Sequence, residues 1–103
     1  MHYTLTPQAD DDLVSIWTYT LTQWNEAQAI RYLGQLEDCF HAIANGEAHI
    51  RPSPTREDGL FFHYCEHHYI FFNATKPVQI IRILHERMDL LKRLKDHLDD
   101  DMV

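Results

Sequence analysis

Apolar side chains recur at helical spacing in two adjacent stretches of the N-terminal half. Thr6 and Pro7 predict a helix start, because threonine caps free amides and proline fits the first helical turn. A second start follows at Asn25, which with Gln28 resembles a capping box, and Gly46 ends that helix. The apolar positions are Ala9, Leu13, Ile16, Trp17, Thr20 and Trp24, then Ala29, Leu33, Leu36, Phe40 and Ile43. The pattern predicts an antiparallel helical hairpin with almost no loop.

Short runs of aromatic and β-branched residues predict strands on both sides of this hairpin. One run lies at residues 2–5, and three more lie at residues 60–65, 69–73 and 78–84. The connections between the last three runs are short enough for antiparallel strand pairs. The last run, VQIIRIL, is apolar on both faces, which makes it the best candidate for a central strand.

The remaining segments complete the predicted architecture. Residues 47–59 are polar and contain Pro52 and Pro54, which indicates a surface connection. The segment MDLLKRLKDHL returns to helical spacing and predicts a short C-terminal helix. The fold class is α+β, with an N-terminal strand, a helical hairpin packed on a small antiparallel sheet and the short C-terminal helix. We expect one domain over residues 1–95 and an acidic tail over residues 96–103.

Length and composition are those of a single globular domain. The chain has 103 residues, of which 45% are hydrophobic and 24% charged, so neither a disordered nor a fibrous protein fits. It has no apolar run of the roughly 18 residues that a membrane span needs, and its start does not resemble a signal peptide. We therefore expect a cytoplasmic protein with no membrane partner, in which Cys39 and Cys65 are free thiols.

Charge is unevenly distributed along the chain. Sixteen Asp and Glu oppose nine Lys and Arg, for a net charge of −7, and residues 1–50 contain a single basic side chain, Arg31. Because nucleic-acid affinity comes largely from Lys and Arg, we expect no direct nucleic-acid binding. A DNA-reading helix-turn-helix is set aside, since the second helix offers Arg31 against Glu37 and Asp38. A local basic site within residues 51–95 remains open.

Two groups of residues have the types found in metal sites. His63, Cys65, His67 and His68 lie within six residues, but no second ligand pair accompanies them, so a hairpin with polar turn histidines is the favoured interpretation. The acidic triplet at residues 10–12 is interpreted as a solvated first helical turn. The sequence therefore predicts neither a metal nor a cofactor.

A cluster of charged residues at the end of the last strand has the chemistry of a ribonuclease site. It comprises Arg82, His85, Glu86, Arg87 and Asp89, and Arg51, Arg56 and Lys76 could reach the same side. His85 would deprotonate a 2′-hydroxyl while Arg82 and Arg87 stabilise the phosphorane, although this set is incomplete. The alternative is that the arginines form ion pairs with Glu86 and Asp89 and brace the junction between sheet and terminal helix.

Aromatic side chains are more numerous than one small core can bury. They include Trp17, Tyr19, Trp24, Tyr32, Phe61, Phe62, Tyr64, Tyr69, Phe71 and Phe72. Some of them should form an exposed apolar patch of the kind that marks a partner surface. This surplus favours a binding protein over a small-molecule enzyme, and the chain contains neither a Gly-rich phosphate loop nor a GxSxG motif.

Four segments carry a resemblance to a known family. They are YTLTPQADDDLVSIWTYTLTQW, EAQAIRYLGQLEDCFHAIAN, HHYIFFN and VQIIRILHERMD, within residues 3–90. The most specific part runs from Arg82 to His85 and continues with Met88 and Asp89. The chain resembles the ParE toxins of the ParE/RelE superfamily, which are the toxin halves of type II toxin-antitoxin modules.

The resemblance implies a function as well as a fold. It implies a non-enzymatic toxin, associated with plasmid stabilisation, that inhibits DNA gyrase and forms a hetero-oligomer with a neutralising ParD-like antitoxin. The RelE branch instead cuts mRNA on ribosomes, and a non-toxic interaction module of the same fold is a third alternative. The acidic charge favours ParE over RelE, whose members resemble a basic sheet face aimed at RNA. Phe61 and Phe62 stand where both branches often carry an arginine, which is a departure from the ParE pattern as well.

Two candidate partner surfaces follow. Trp17 and Tyr19 are the expected antitoxin contacts, although Trp17 could instead belong to the core. An apolar stripe near the C-terminus is flanked by Arg87, Arg93 and Lys95. The resemblance implicates this C-terminal portion in toxic action, and we expect it to face gyrase. The alternative is that the leucines of this segment dock on the sheet and its cations are solvated.

Overall fold

The computed structural model describes residues 2–48, 51–52 and 60–87. Two helices lie against one face of a five-stranded sheet. The elements in chain order are β1 (Tyr3–Leu5), α1 (Pro7–Gln23), α2 (Glu26–Ala44), β2 (Arg51–Pro52), β3 (Leu60–Cys65), β4 (His68–Asn73) and β5 (Val78–His85). The α+β class and the helical hairpin are confirmed, whereas the predicted C-terminal helix and the boundary at residue 95 lie outside the described residues.

Local capping chemistry sets the bounds of both helices, as the sequence predicted. The Thr6 hydroxyl oxygen accepts a hydrogen bond of 3.1 Å from the amide of Ala9 at the start of α1. The Asn25 side-chain oxygen accepts one of 2.8 Å from the amide of Gln28 at the start of α2. Gly46 follows α2 with a φ of +76°, a left-handed conformation that glycine adopts without steric cost.

The sheet is mixed, which corrects the expectation of a purely antiparallel one. Its strand order is β1-β5-β4-β3-β2, and β1 pairs in parallel with β5, whereas the other pairs are antiparallel. The chain leaves β1 through the helical hairpin rather than a tight turn, and such a crossover permits parallel pairing. β5 has a neighbour on each side, as its two apolar faces predicted, although β4 occupies the middle position.

Part of the predicted surface connection is a strand. Arg51 and Pro52 form β2 and pair with Phe62 and Phe61 of β3 at the edge of the sheet. Proline has no amide hydrogen to donate, so it is tolerated at an edge where one side of the strand has no partner. Residues 53–59 of this connection lie outside the described residues.

The main core lies between the helices and the sheet. Its buried members are Ala9, Ile16, Leu36, Phe40, Ile43, Cys65, Ile70, Phe72, Ile80 and Ile83. Trp24 was expected in this core, but its side chain is 71% exposed, because it caps α1 where the chain turns into α2. A smaller cluster of Leu60, Phe71 and Leu84 forms separately. None of the described helices is long and apolar enough to cross a membrane.

Cys39 and Cys65 form a disulfide, so the expectation of free thiols was wrong. Cys39 packs against the main core from α2, and Cys65 ends β3. The packing of α2 on the sheet brings their Cα atoms to 6.5 Å, within the range that a disulfide spans. Their separation of 26 residues and the absence of a CxxC spacing concealed this proximity in the sequence.

Candidate functional site

A groove of about 770 Å³ opens between the C-terminal half of α1, the start of α2 and the ends of the strands. Residues from four elements line it, so its shape depends on how the helical hairpin docks on the sheet. The side chains that give it its chemical character are Tyr19, Trp24, Tyr32, His67, His68, His85, Glu86 and Arg87. It combines aromatic surface with several titratable groups, a composition typical of partner or ligand sites.

The floor of the groove is a buried histidine held by a tyrosine. His68 is only 7% exposed, and its Nδ1 lies 2.5 Å from the Tyr32 hydroxyl, which also accepts a hydrogen bond from the His67 amide. The Tyr32 hydroxyl is thus hydrogen-bonded both to the β3–β4 turn and to the first residue of β4. The edge of one imidazole meets the face of the other where His68 packs on His85, with ring centroids 5.1 Å apart.

Burial determines the charge of His68. Loss of solvent, followed by the neighbouring imidazoles of His85 and His67, lowers the pKa of His68 to about 4. Burial also raises the pKa of Tyr32. The pair is therefore neutral at physiological pH, and its hydrogen bond joins α2 to β4 without placing a charge in the floor of the groove.

Glu86 organises the rim of the groove. Its carboxylate accepts hydrogen bonds from the Tyr64 hydroxyl and, at 3.1 Å, from Nδ1 of His67. The hydrogen bond from Tyr64 is the main cause that lowers the pKa of Glu86, and the same bond raises the pKa of Tyr64 to about 12. The Glu86 amide also donates to the His67 carbonyl at 2.9 Å. The end of β5 is thereby tied to the β3–β4 turn.

Arg82 is committed to a structural ion pair rather than to the groove. Its Nε and Nη2 donate to the two carboxylate oxygens of Asp12 at 2.8 and 3.1 Å, and the Ile83 amide donates to the same carboxylate at 2.9 Å. The two side chains are 19% and 15% exposed. This two-point contact fixes α1 to β5. The ion-pair partner of Arg82 is therefore Asp12, whereas the sequence had suggested Glu86 or Asp89.

The same contact corrects the interpretation of the acidic triplet. Asp10 and Asp11 are exposed, as expected of a solvated first turn, but Asp12 is turned toward the sheet. Successive helical residues are about 100° apart, so three consecutive side chains spread over about 200° of the helix and need not share one face.

The candidate ribonuclease residues are only partly brought together. His85 and Arg87 both line the groove, where the Arg87 amide donates to Nδ1 of His85 at 3.1 Å. Arg82 is held by Asp12, and Asp89 and Arg56 lie outside the described residues. The described part of the set therefore presents one exposed cation beside one imidazole.

The candidate metal ligands have other partners. Cys65 is in the disulfide and offers no thiolate, while His67 and His68 are hydrogen-bonded to Glu86 and Tyr32. Within residues 2–48, 51–52 and 60–87, no three or more His, Cys, Asp or Glu side chains are placed to hold a metal ion.

The predicted partner residues are divided by the structure. Tyr19 is 63% exposed and lines the groove, whereas Trp17 is partly buried and lies outside it. Arg87 is exposed at the same groove, and Arg93 and Lys95 lie outside the described residues. Other exposed apolar side chains on the helical hairpin are Val14, Leu21, Trp24 and Ile30. The sequence named the aromatic surplus but did not indicate that Tyr32, His67, His68 and Glu86 form one cluster.

Comparison with known proteins identifies the family. Residues 3–90 match the model of the family described as the ParE toxin of the type II toxin-antitoxin system parDE. The chain belongs to the ParE toxin family. It is thus a ParE-like toxin of a type II toxin-antitoxin system, as the four sequence segments indicated.

Individual relatives agree with this assignment. The chain is 41% identical over 98 residues to Toxin ParE of Escherichia coli, covering 93% of this chain and 95% of that protein. It is 31% identical over 87 residues to Toxin ParE1 of Caulobacter vibrioides, covering 84% and 91%. The fold is similar to a chain of the chromosomal ParDE TA system from P. aeruginosa, with a TM-score of 0.66, 20% identity and coverage of 82% and 95%.

Proposed function

We propose that this ParE-family toxin inhibits DNA gyrase in the cytoplasm and that a cognate ParD-like antitoxin neutralises it. The observation that carries the proposal is the 41% identity to Toxin ParE of Escherichia coli across 95% of that protein. The match spans the helical hairpin and the sheet together, so the groove between them belongs to the shared region. We infer a role in plasmid stabilisation or an equivalent addiction function from the same family membership.

The surface of the helical hairpin supports the antitoxin part of the proposal. Its exposed apolar side chains lie on helices that contain Arg31 as their single basic Lys or Arg residue against six acidic ones, one of which is Asp12 in its ion pair. A segment that pairs apolar anchors with Lys or Arg would match both properties. We propose that such an antitoxin segment covers this surface and folds as it binds.

The positions of the basic residues support a non-enzymatic mode of action. An RNA-cutting site needs cations that are free to stabilise the phosphorane. Arg82 already donates from Nε and Nη2 to Asp12, and within the described residues Arg87 is the arginine beside His85. We therefore propose that the toxin acts by binding its target, and that ribosome-dependent mRNA cleavage is the less favoured alternative.

Two assays on the purified toxin test the proposal together. The toxin is added to gyrase-driven supercoiling of relaxed plasmid, and in parallel to a coupled translation reaction whose mRNA is mapped by primer extension. We expect loss of supercoiling, reversed by the antitoxin encoded beside the toxin gene, and no defined mRNA cleavage. Cleavage products abolished by His85→Ala would instead establish the ribonuclease alternative, and inactivity in both assays would favour a non-toxic interaction module.

A further inference from the structure

Helix α2 is fastened to the end of the β3–β4 pair at two points on one face. The first is the disulfide between Cys39 and Cys65, and the second is the Tyr32 hydroxyl, which bonds the His67 amide and the His68 ring. Tyr32 and Cys39 are seven residues apart, which is two helical turns, so they project from the same side of α2. His67 and His68, which line the groove, follow Cys65 by only two and three residues.

The two halves of the disulfide differ in accessibility. Cys65 is 2% exposed, at the end of β3 beneath α2, whereas Cys39 is partly exposed on the helix. A thiolate that attacks a disulfide must reach one sulfur in line with the bond it breaks, and access decides which sulfur that is. Cys39 is therefore the more accessible of the two residues to an external thiol.

We propose that the Cys39–Cys65 bond is a thiol–disulfide exchange site, reduced by dithiol proteins or small dithiols through attack on Cys39. The attacking thiolate forms a mixed disulfide with the Cys39 sulfur, and Cys65 leaves as a thiolate that takes up a proton. The second thiol of the reductant then attacks the mixed disulfide and releases Cys39 as a thiol. Two electrons pass from the dithiol, which becomes a disulfide, to the toxin, which gains two thiols.

Reduction changes the groove because it removes the covalent link and leaves the Tyr32 hydrogen bonds and apolar packing to hold that face of α2 on the end of the β3–β4 pair. The β3–β4 turn that carries His67 can then separate from α2 more often, and the wall that faces Tyr19 and Trp24 loses its fixed position. The structure thus couples the redox state of the pair to the binding surface. The redox chemistry and its effect on the groove do not depend on the proposed function. An effect on antitoxin binding rests on the proposal that the antitoxin binds in the groove.

The site of attack is tested with 5,5′-dithiobis(2-nitrobenzoic acid) on folded single variants. In Cys65→Ala the remaining thiol is Cys39, and in Cys39→Ala it is Cys65. We expect Cys39 to react at least about tenfold faster, because Cys65 is buried. Equal rates, with both variants shown to be folded by circular dichroism, would overturn the assignment of Cys39 as the attacked sulfur.

The coupling to the groove is tested on the unaltered toxin, oxidised with oxidised glutathione or reduced with dithiothreitol. Iodoacetamide added under denaturing conditions should label no cysteine in the first form and two in the second. Amide hydrogen exchange at His67 should be faster in the reduced form, and the unfolding equilibrium constant should rise on the order of 300-fold for a loop of 26 residues. The double variant Cys39→Ala/Cys65→Ala is the control, and its exchange should not respond to dithiothreitol.

The outcomes separate this inference from the proposed function. Labelling of both cysteines in the oxidised form, or identical His67 exchange in the two forms, would overturn the redox inference whatever the toxin does to gyrase. Loss of supercoiling inhibition in both forms, with the labelling and exchange results as expected, would overturn the proposed function and leave the exchange site established.

Discussion

At the residue scale, the contacts that matter most are polar side chains turned toward the sheet. Asp12 receives three hydrogen bonds from Arg82 and the Ile83 amide, and His68 shares one with Tyr32. Each joins a helix to a strand that is distant in the sequence. Removing one partner leaves a group without its hydrogen bonds in a mostly buried place, which costs more than the bond itself contributes.

Asp12→Ala should therefore destabilise the toxin by about 3 kcal/mol, because it leaves the mostly buried Arg82 guanidinium without a counter-charge. The measurement is the free energy of unfolding from urea denaturation. Asp11→Ala is the matched control, since Asp11 is exposed one residue away on the same turn and its loss should change stability by less than about 0.5 kcal/mol. Equal effects of the two substitutions would show that the ion pair contributes nothing.

The low pKa of His68 gives stability a defined pH dependence. Between the ordinary value of about 6.5 and the folded value of about 4, the unfolded chain binds a proton that the folded chain does not. The free energy of unfolding should therefore fall as the pH drops through this window, by up to about 3 kcal/mol. Urea denaturation at a series of pH values measures it.

Two histidine substitutions attribute this dependence to its source. In His68→Gln the pH dependence of the free energy of unfolding between pH 6.5 and 4 should flatten, because position 68 then has no imidazole that takes up a proton on unfolding. His41→Gln changes an exposed histidine of α2 and should keep the parental slope. A slope that survives in His68→Gln would assign the pH dependence to other groups.

At the element scale, the helical hairpin has a sheet-facing side and a side that offers apolar groups to a partner. Its inner side was predictable because apolar residues recur every three or four positions and the caps mark both helix starts. The exposed aromatics were harder to place, since Trp24 follows the same spacing as the core residues. The turn at the end of α1 decides its position, and turn geometry is not contained in the apolar periodicity.

Tyr19→Ala and Trp24→Ala should each weaken antitoxin binding at least about tenfold, because exposed aromatic side chains are common anchors of protein interfaces. Their exposure means that the free energy of unfolding should change by less than about 0.5 kcal/mol. Isothermal titration with the antitoxin measures the affinity. Gln23→Ala, an exposed polar change between them on α1, is the control and should bind as the parent does.

At the scale of the whole molecule, charge is unevenly distributed along the chain. The two helices are acidic, whereas basic residues are concentrated after residue 50. An acidic antitoxin-facing surface and a basic target-facing one would let a single small domain meet two partners. Arg87, exposed after the end of β5, is the described member of the second surface.

Replacing Arg87, Arg93 and Lys95 by alanine should abolish gyrase inhibition while antitoxin affinity and stability are retained. The reason is that the resemblance to ParE toxins implicates the C-terminal portion in toxic action, and these three cations lie in that portion of the sequence. The supercoiling assay measures the effect, and Lys76→Ala, an exposed cation before the start of β5, is the control. A triple variant that inhibits supercoiling as strongly as the parent would exclude this segment as the gyrase-facing surface.

The sequence by itself determined the helix starts, the positions of four of the five described strands and the family. These properties depend on local chemistry: Thr6 and Asn25 cap the helices from within a few residues, and side-chain periodicity distinguishes helix from strand. The same locality explains why the four resembling segments sufficed to identify a ParE toxin.

Only the tertiary structure decided which distant side chains meet. The Arg82–Asp12 pair spans 70 residues, the disulfide 26 and the Tyr32–His68 hydrogen bond 36. Parallel pairing of β1 with β5 likewise joins opposite ends of the described chain. Such partners are selected by how α1 and α2 pack on the sheet, because packing fixes the rotation of each helix and thereby which polar residue of each turn faces inward. One-dimensional spacing does not contain that rotation, so the groove and its buried histidine emerged only with the fold.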